Sequence, residues 1–249
     1  MSGNGKVALV TGGIGGIGTA ICERLARNGS RVVASYHPSE REAAEQWRTL
    51  RNEAGLDIRT VAGDVASPED SARMVAAVLE QHGPVEILVN CAGITRDKTF
   101  KKMETEQWDA VINTNLNSVF YVTKPVWEGM LERGFGRIVN ISSVNGQRGQ
   151  FGQTNYSAAK AGMHGFTMAL AQEGAAKGIT VNTVSPGYVE TAMTDAMRED
   201  VREAIIAGIP MRRMARPEEI AAAVAFLVAE ENAYVTGANI PVNGGLFIS

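Results

Sequence analysis

An α/β fold around a doubly wound parallel sheet is what this 249-residue sequence predicts. Apolar, β-rich runs alternate with longer amphipathic stretches along the whole chain, the pattern of strand–helix–strand units with right-handed crossovers. Two of the runs, Val7-Ala8-Leu9-Val10 and Ile87-Leu88-Val89, are apolar without interruption. Strands covered by helices on both faces read this way. A glycine-rich segment, Gly12 to Gly18, separates the first run from the first amphipathic stretch.

The elements follow from periodicity and punctuation. Lys6–Thr11 reads as the first strand and Gly16–Asn28 as the helix after it, ended by Gly29. Arg31–Ser35 is the second strand, with a helix through about Ala54 that Gly55 closes. Ile58–Ala62 is the third. Ser67-Pro68-Glu69-Asp70 joins a capping hydroxyl, a first-turn proline and two carboxylates at the positive helix end, so a helix starts there. Glu86–Asn90 is strand four. A helical region over roughly Glu104–Glu132 should break near Pro125, which removes a backbone donor and crowds the preceding turn. Arg137–Ser142 is strand five, Thr154–Lys177 a helix, Thr180–Ser185 strand six and Pro217–Ala229 a helix. A short strand near Asn239–Val242 makes about seven. No Pro/Gly/Ser-rich linker, repeat or charge block divides the chain, so residues 1–249 read as one domain.

Composition excludes several classes. The chain is 45% hydrophobic and 20% charged with a net charge of −3, and its charges are mixed along the length. That balance argues against a nucleic-acid binder driven by bulk charge. No stretch approaches the roughly 18 apolar residues of a membrane span, and the N-terminal residues carry no apolar leader. Cys22 and Cys91 are the only cysteines, without CxxC or Cys/His spacing, so no metal is expected. A reducing, cytoplasmic setting is the default.

In doubly wound sheets ligands bind outside the carboxyl ends of the strands. The glycine-rich segment stands at such an end: Thr11-Gly12-Gly13-Ile14-Gly15-Gly16-Ile17-Gly18. Its glycines permit a tight turn and close backbone approach to a diphosphate, while the following helix offers free N–H groups. Gly13-x-Gly15-x-x-Gly18 fits the general dinucleotide spacing, and Gly12-x-x-x-Gly16-x-Gly18 fits a wider one. A carboxylate ending strand two would bind the ribose hydroxyls of NAD. Here Ser35 and Tyr36 are neutral, and Arg41 follows as a cation suited to a 2′-phosphate. The cofactor expected is therefore NADPH/NADP+, with Glu40 as the neighbour that speaks against it and a solvated Arg41 as the plainer alternative.

Tyr156 and Lys160 stand four residues apart, on one face of the predicted helix, and Ser143 lies upstream at the end of strand five. A phenol titrates near 10, too high for an efficient proton donor near neutrality. A nearby ammonium favours the phenolate; lowering the pKa by about three units would take about 4 kcal/mol. Lys160 is therefore expected to lower the Tyr156 pKa while Ser143 hydrogen-bonds the reacting oxygen.

Together these residues resemble the short-chain dehydrogenase/reductase family, and the resemblance covers essentially the whole chain. It implies a single Rossmann-type domain and a catalytic tetrad of Asn115, Ser143, Tyr156 and Lys160. By the same resemblance Gly63, Asp64 and Val65 meet the adenine, and Asn90, Ala92 and Gly93 flank the cofactor after strand four. Pro186, Gly187, Val189 and Thr191 hold the nicotinamide carboxamide, and Tyr156 and Lys160 touch the nicotinamide ribose. Cys91 departs from the usual asparagine, and Asn243 stands where an aspartate is common.

The stretch from Asn140 to Tyr156, with its Gly-Gln-Phe-Gly-Gln run, narrows the resemblance to the branch that reduces acetoacetyl-CoA with NADPH for polyhydroxyalkanoate synthesis. That branch implies an acyl-CoA thioester substrate, an (R)-3-hydroxyacyl product and a homotetramer. Gln150, Phe151 and Gln153 would then line the acyl pocket with Ser143 and Tyr156, Phe151 stacking on a small acyl group. Gly187 and Tyr188 would close the other wall, and Asp97 and Lys102 would meet the CoA portion. Each of these would equally suit a loop, a subunit contact or a solvated helix start. Residues 190–214, with Met193, Met197, Met211 and Met214, fall where the family keeps a substrate lid. The rival within the family acts on acyl carrier protein, an acidic partner that a basic face near Arg133, Arg137 and Lys177 would favour. A dinucleotide-binding regulator without turnover is the rival of another class, against which an intact tetrad speaks.

Overall fold

The computed structural model describes residues 5–248; the N-terminal stretch read as lacking a leader falls largely outside them. Seven parallel strands form one sheet in the order β3-β2-β1-β4-β5-β6-β7. They are β1 Val7–Val10, β2 Arg31–Tyr36, β3 Ile58–Ala62, β4 Val85–Asn90, β5 Gly136–Ile141, β6 Ile179–Pro186 and β7 Asn239–Val242. The order reverses between β1 and β4, so the first crossover to the other half opens a crevice at the carboxyl ends of those two strands.

Among the described residues ten α-helices accompany the sheet: α1 Gly16–Arg27, α2 Arg41–Glu53, α3 Pro68–His82, α4 Thr105–Ile112, α5 Ser118–Arg133, α6 Asn145–Arg148, α7 Thr154–Ala175, α8 Ala192–Asp195, α9 Glu199–Gly208 and α10 Pro217–Val228. One core lies under α1 and α10 and includes Ile21, Leu25, Ile87, Val139, Ile220 and Val224; α3 and α5 close the other with Val75, Val78, Leu88, Val122 and Met130. The two uninterrupted apolar runs, in β1 and β4, are buried throughout, and β5 and β6 carry no exposed residue despite their polar side chains. Among the described residues, no helix is long and apolar enough to cross a membrane.

Element boundaries fall within about two residues of those expected, except in the long helical region. The chain does not break at Pro125, which lies inside α5. It departs from α-geometry earlier, in a π-helical turn over Asn113–Asn117. The cause is visible at Asn115, which is fully buried. Its side chain accepts from the Ile94 N–H at 2.9 Å and donates to the Ile94 carbonyl at 2.8 Å. Such reciprocal bonding fixes one residue against a neighbouring loop, and the extra residue of a π-turn accommodates it.

Candidate active site

The glycine loop tests whether a dinucleotide fits. Gly12 has φ +61°, and a Cβ there would lie 2.9 Å from the Ala92 Cα. Gly13 packs against Ala34, and a Cβ at Gly18 would overlap the Gly12 carbonyl oxygen. Gly15 is open by comparison, with nothing nearer its Cβ position than the Gly12 oxygen at 3.4 Å. Helix α1 begins there without a side-chain cap and without an acidic residue in its first turn. Free N–H groups and an unobstructed backbone are what a diphosphate needs. Ile14 and Ile17 are partly buried and pack on the core beneath α1. Gly16 approaches the Thr191 side chain, so the segment after β6 folds over the loop.

Loops after β2 and β3 carry the residues expected at the adenosine end. The Gly63 N–H donates to the Tyr36 carbonyl at 3.0 Å, while Asp64 accepts from the Ala66 N–H at 2.9 Å. Val65 is buried. His37 Nε2 stands 4.0 Å from an Asp64 oxygen. Arg41 is exposed and pairs with Glu45 one turn on, at 3.5 Å. Ser35 departs from expectation: its side chain is buried and its hydroxyl has no hydrogen-bond partner, so it does not face a nucleotide. Tyr36, half-buried, is the residue at the carboxyl end of β2 that reaches the surface.

After β4, the Cys91 and Ala92 N–H groups donate to the Thr11 hydroxyl at 3.0 and 3.1 Å, which ties this turn to β1. The Asn90 side chain points inward, donating to Asn140 at 2.9 Å and Thr123 at 3.2 Å. Only its backbone remains for a cofactor. Gly93 lies against Asn115, and a Cβ there would come within 2.5 Å of the amide oxygen. Burial pushes the Cys91 thiol up to about 11, opposed by nearby Lys160.

The four residues expected as a tetrad gather near the ends of β4 and β5. Lys160 is buried on α7; its ammonium donates to the Ile141 carbonyl at 2.7 Å and lies 5.6 Å from the centre of the Tyr156 ring. Ser143 is buried and accepts from the Asn145 N–H at 3.1 Å. The phenol differs from expectation. Burial pushes Tyr156 up to about 12; hydrogen bonding to Ser143 opposes the rise, and Asp97 and Cys91 add to it. Lys160 is instead pushed down to about 8, first by burial, with Cys91 working against the shift. Desolvation outweighs attraction because both groups are withdrawn from water; the Ile141 carbonyl and the ring face favour the ammonium without offsetting that loss. At neutral pH Tyr156 therefore keeps its proton, and of the two groups Lys160 is the one whose value lies nearer neutrality.

Asn155 escaped the sequence reading. Fully buried, it donates to the carbonyls of Arg96 and Gln107 at 3.2 and 3.1 Å, fastening two elements to the start of α7. The signal was an amide-bearing residue in the first turn of a predicted helix, where such residues bond backbone groups.

Substrate candidates surround this centre unequally. Gln153 donates to Asp97 at 2.7 Å and accepts from Asn145 at 2.9 Å, bridging the loops after β4 and β5 beside Tyr156. Gln150 is exposed and accepts from Arg148 at 3.4 Å. Phe151 is 87% exposed, so its ring forms no closed wall in this conformation. Lys102 is exposed at the end of a short 3-10 turn. The Pro186 carbonyl accepts from Val144 at 2.8 Å, coupling the Ser143 loop to the segment after β6. Gly187 donates to the Val242 carbonyl at 2.9 Å, and Val189 is buried. Tyr188 lines a cavity of about 350 Å³ with Ile209, Met211 and Arg213. Met214 is buried, Met211 exposed and Met197 half-buried, so these methionines form no single cover; the Met193 side chain lies outside the described residues. Arg137, which the carrier-protein rival would place on a basic docking face, is buried and stacked 4.4 Å from the centre of the Phe135 ring. Among the described residues, no group of three or more His, Cys, Asp or Glu could hold a metal.

A glycine cradle at the switch point and a Ser–Tyr–Lys assembly beside it define a nicotinamide-dependent oxidoreductase. The family model for short chain dehydrogenases matches residues 6–202, and the chain belongs to that family. It is 73% identical to the acetoacetyl-CoA reductase of Allochromatium vinosum, over 98% of this chain and 99% of that protein. Identity to the acetoacetyl-CoA reductase of Cupriavidus necator is 56%, over 97% and 98%. To the 3-oxoacyl-[acyl-carrier-protein] reductase of Vibrio cholerae it is 46%, over 98% of each.

The Lys160 shift makes a prediction with a definite sign. Its folded value of about 8 lies below the ordinary 10.5. Between those values the unfolded chain holds a proton that the folded chain lacks, so stability rises with pH across this window. Replacing Lys160→Met removes that dependence. From pH 7 to pH 10 the stability difference between the proteins should move by about 2 kcal/mol in favour of the wild type. Urea unfolding at both pH values measures it; a constant difference would show that Lys160 stays protonated in the fold.

Proposed function

We propose that this chain reduces acetoacetyl-CoA to (R)-3-hydroxybutyryl-CoA with NADPH. One observation carries the reading: a protonated Tyr156 beside Ser143, with buried Lys160 behind its ring, in a chain 73% identical to an acetoacetyl-CoA reductase over 98% of its length. When bound, the reduced nicotinamide supplies the hydride to the keto carbon. Tyr156 gives its proton to the oxygen on which negative charge develops. Ser143 donates a hydrogen bond to the same oxygen, strongest where that charge is largest. Lys160, with its amine near 8, stabilises the phenolate left behind and helps return a proton to it. Asn115 has its amide engaged with Ile94 on both sides, so its part is to hold the loop after β4 against the π-turn.

Gly12 to Gly18, Tyr36, Asp64, Thr191 and the turn from Ala92 to Gly93 would hold the dinucleotide, and Arg41 would exchange Glu45 for the 2′-phosphate. Asp97, Gln150, Phe151, Gln153, Gly187 and Tyr188 would bound the thioester, with Lys102 towards the CoA phosphates. Residues 190–214 would act as a lid; within them α9 has no fully buried residue, which suits a segment that moves. A cytoplasmic homotetramer belongs to the same reading. Exposed Phe120, Met168 and Phe226, on α5, α7 and α10, suit its subunit contacts.

NADPH oxidation with acetoacetyl-CoA and with acetoacetyl-acyl carrier protein, side by side, tests the substrate. A much higher kcat/KM is expected for the CoA ester; preference for the carrier-protein ester would replace this reading. Tyr156→Phe should lower kcat at least about 100-fold while NADPH still binds, as fluorescence titration would report. A nearly active variant would remove the proton-donor role. Arg41→Ala should raise KM for NADPH far more than for NADH, and equal changes would dismiss the 2′-phosphate contact.

A further inference from the structure

Seven residues after β4, Arg96 to Lys102, hold four cations and one carboxylate in a chain whose net charge is −3. All but the threonine between them carry charge or an aromatic ring, and Phe100 at the centre is 77% exposed. The carboxylate, Asp97, is already bonded to Gln153. This loop is not free-standing. The Lys98 N–H donates to the Gly152 carbonyl at 2.9 Å, Asn155 holds the Arg96 carbonyl, and the Thr154 hydroxyl reaches the Met103 sulfur at 3.4 Å. Arg148, exposed on the facing turn, adds a fifth cation. A concentrated positive surface with an open aromatic face therefore sits on the same loops that flank Tyr156.

Resting on the reading that the substrate is a CoA ester, we infer that this surface receives its 3′-phosphoadenosine diphosphate end. Phe100 offers the adenine a stacking face, and Arg96, Lys98, Lys101 and Arg148 meet the 3′-phosphate and the diphosphate. Charge alone would serve an acidic carrier protein equally. The exposed ring among the cations favours a nucleotide, since bases stack on aromatic side chains and phosphates pair with the flanking cations. The patch acts on substrate capture and leaves the chemistry to Tyr156, so its effects belong in KM.

Two substrates separate the possibilities: acetoacetyl-CoA, and acetoacetyl-pantetheine, which lacks the nucleotide. For Phe100→Ala and for Lys101→Ala/Arg148→Ala, kcat/KM with acetoacetyl-CoA should fall about tenfold or more, mostly through KM. With acetoacetyl-pantetheine it should stay unchanged. Equal losses on both substrates, or none on the CoA ester, overturn the assignment. Losses confined to acetoacetyl-acyl carrier protein overturn it too and give the patch to that partner. Direct binding makes the result independent of turnover: in enzyme saturated with NADP+, calorimetry should show 3′-phosphoadenosine 5′-diphosphate binding to the wild type and at least about tenfold more weakly to Phe100→Ala. Binding that Phe100→Ala leaves intact refutes the platform. If the wild type binds this nucleotide but does not reduce acetoacetyl-CoA, the substrate reading fails while the nucleotide site stands.

Discussion

The site depends on a lysine held out of water. Lys160 is 3% exposed, and removing an ammonium from solvent is costly unless it is bonded. Its principal partner is a single backbone carbonyl, that of Ile141 at the end of β5. That bond requires α7 to lie close against the strand, and three contacts bring it there. The Ser142 hydroxyl donates to the Lys160 carbonyl at 2.8 Å, Gly146 lets α6 approach the Lys160 backbone, and Asn155 fixes the start of α7 to Arg96 and Gln107. A residue larger than glycine at 146 would place its Cβ 2.8 Å from that backbone.

The sheet continues the same logic inward. Asn90 donates to Asn140, Asn140 donates to Thr167 at 2.9 Å, and Thr167 shares a hydrogen bond of 2.8 Å with Thr183. This buried chain joins β4, β5, α7 and β6 at their ligand-facing ends. The buried polar groups of this network are tolerated because each finds a partner in it, and the directionality of those bonds fixes the relative height of the strands. Apolar contacts alone would leave that height loose, and with it the distance from the glycine loop to Tyr156.

Much of this was legible in the sequence because it rests on local rules. Uninterrupted apolar runs gave the strands, Ser67-Pro68 the start of α3, and the four-residue spacing of Tyr156 and Lys160 their shared face. What escaped depends on contacts between distant segments. Pro125 suggested a break from its own chemistry, whereas the irregularity arises at Asn115 from bonds to Ile94, a residue 21 positions away. Ser35 and Asn90 sit where a nucleotide contact was expected, but their side chains point inward, a matter of strand register that composition does not record. The direction of the Tyr156 shift also required the fold. Proximity of opposite charge was visible, while the depth of burial that outweighs it was not.

That reversal bears on the direction of the chemistry. A phenol near 12 holds its proton firmly, as the proposed donor to a carbonyl oxygen must until charge builds on that oxygen. Only when the oxygen becomes alkoxide-like, more basic than a phenolate, is transfer downhill. In the reduction proposed above the tyrosine would then lose its proton beside an ammonium whose own value has been brought to about 8, so the phenolate would be stabilised only after it forms. An interaction that strengthens along the reaction lowers the barrier, whereas one already complete in the resting state would stabilise the wrong partner. The resting geometry, with the ammonium bonded to Ile141 and seated over the ring, keeps that interaction in reserve.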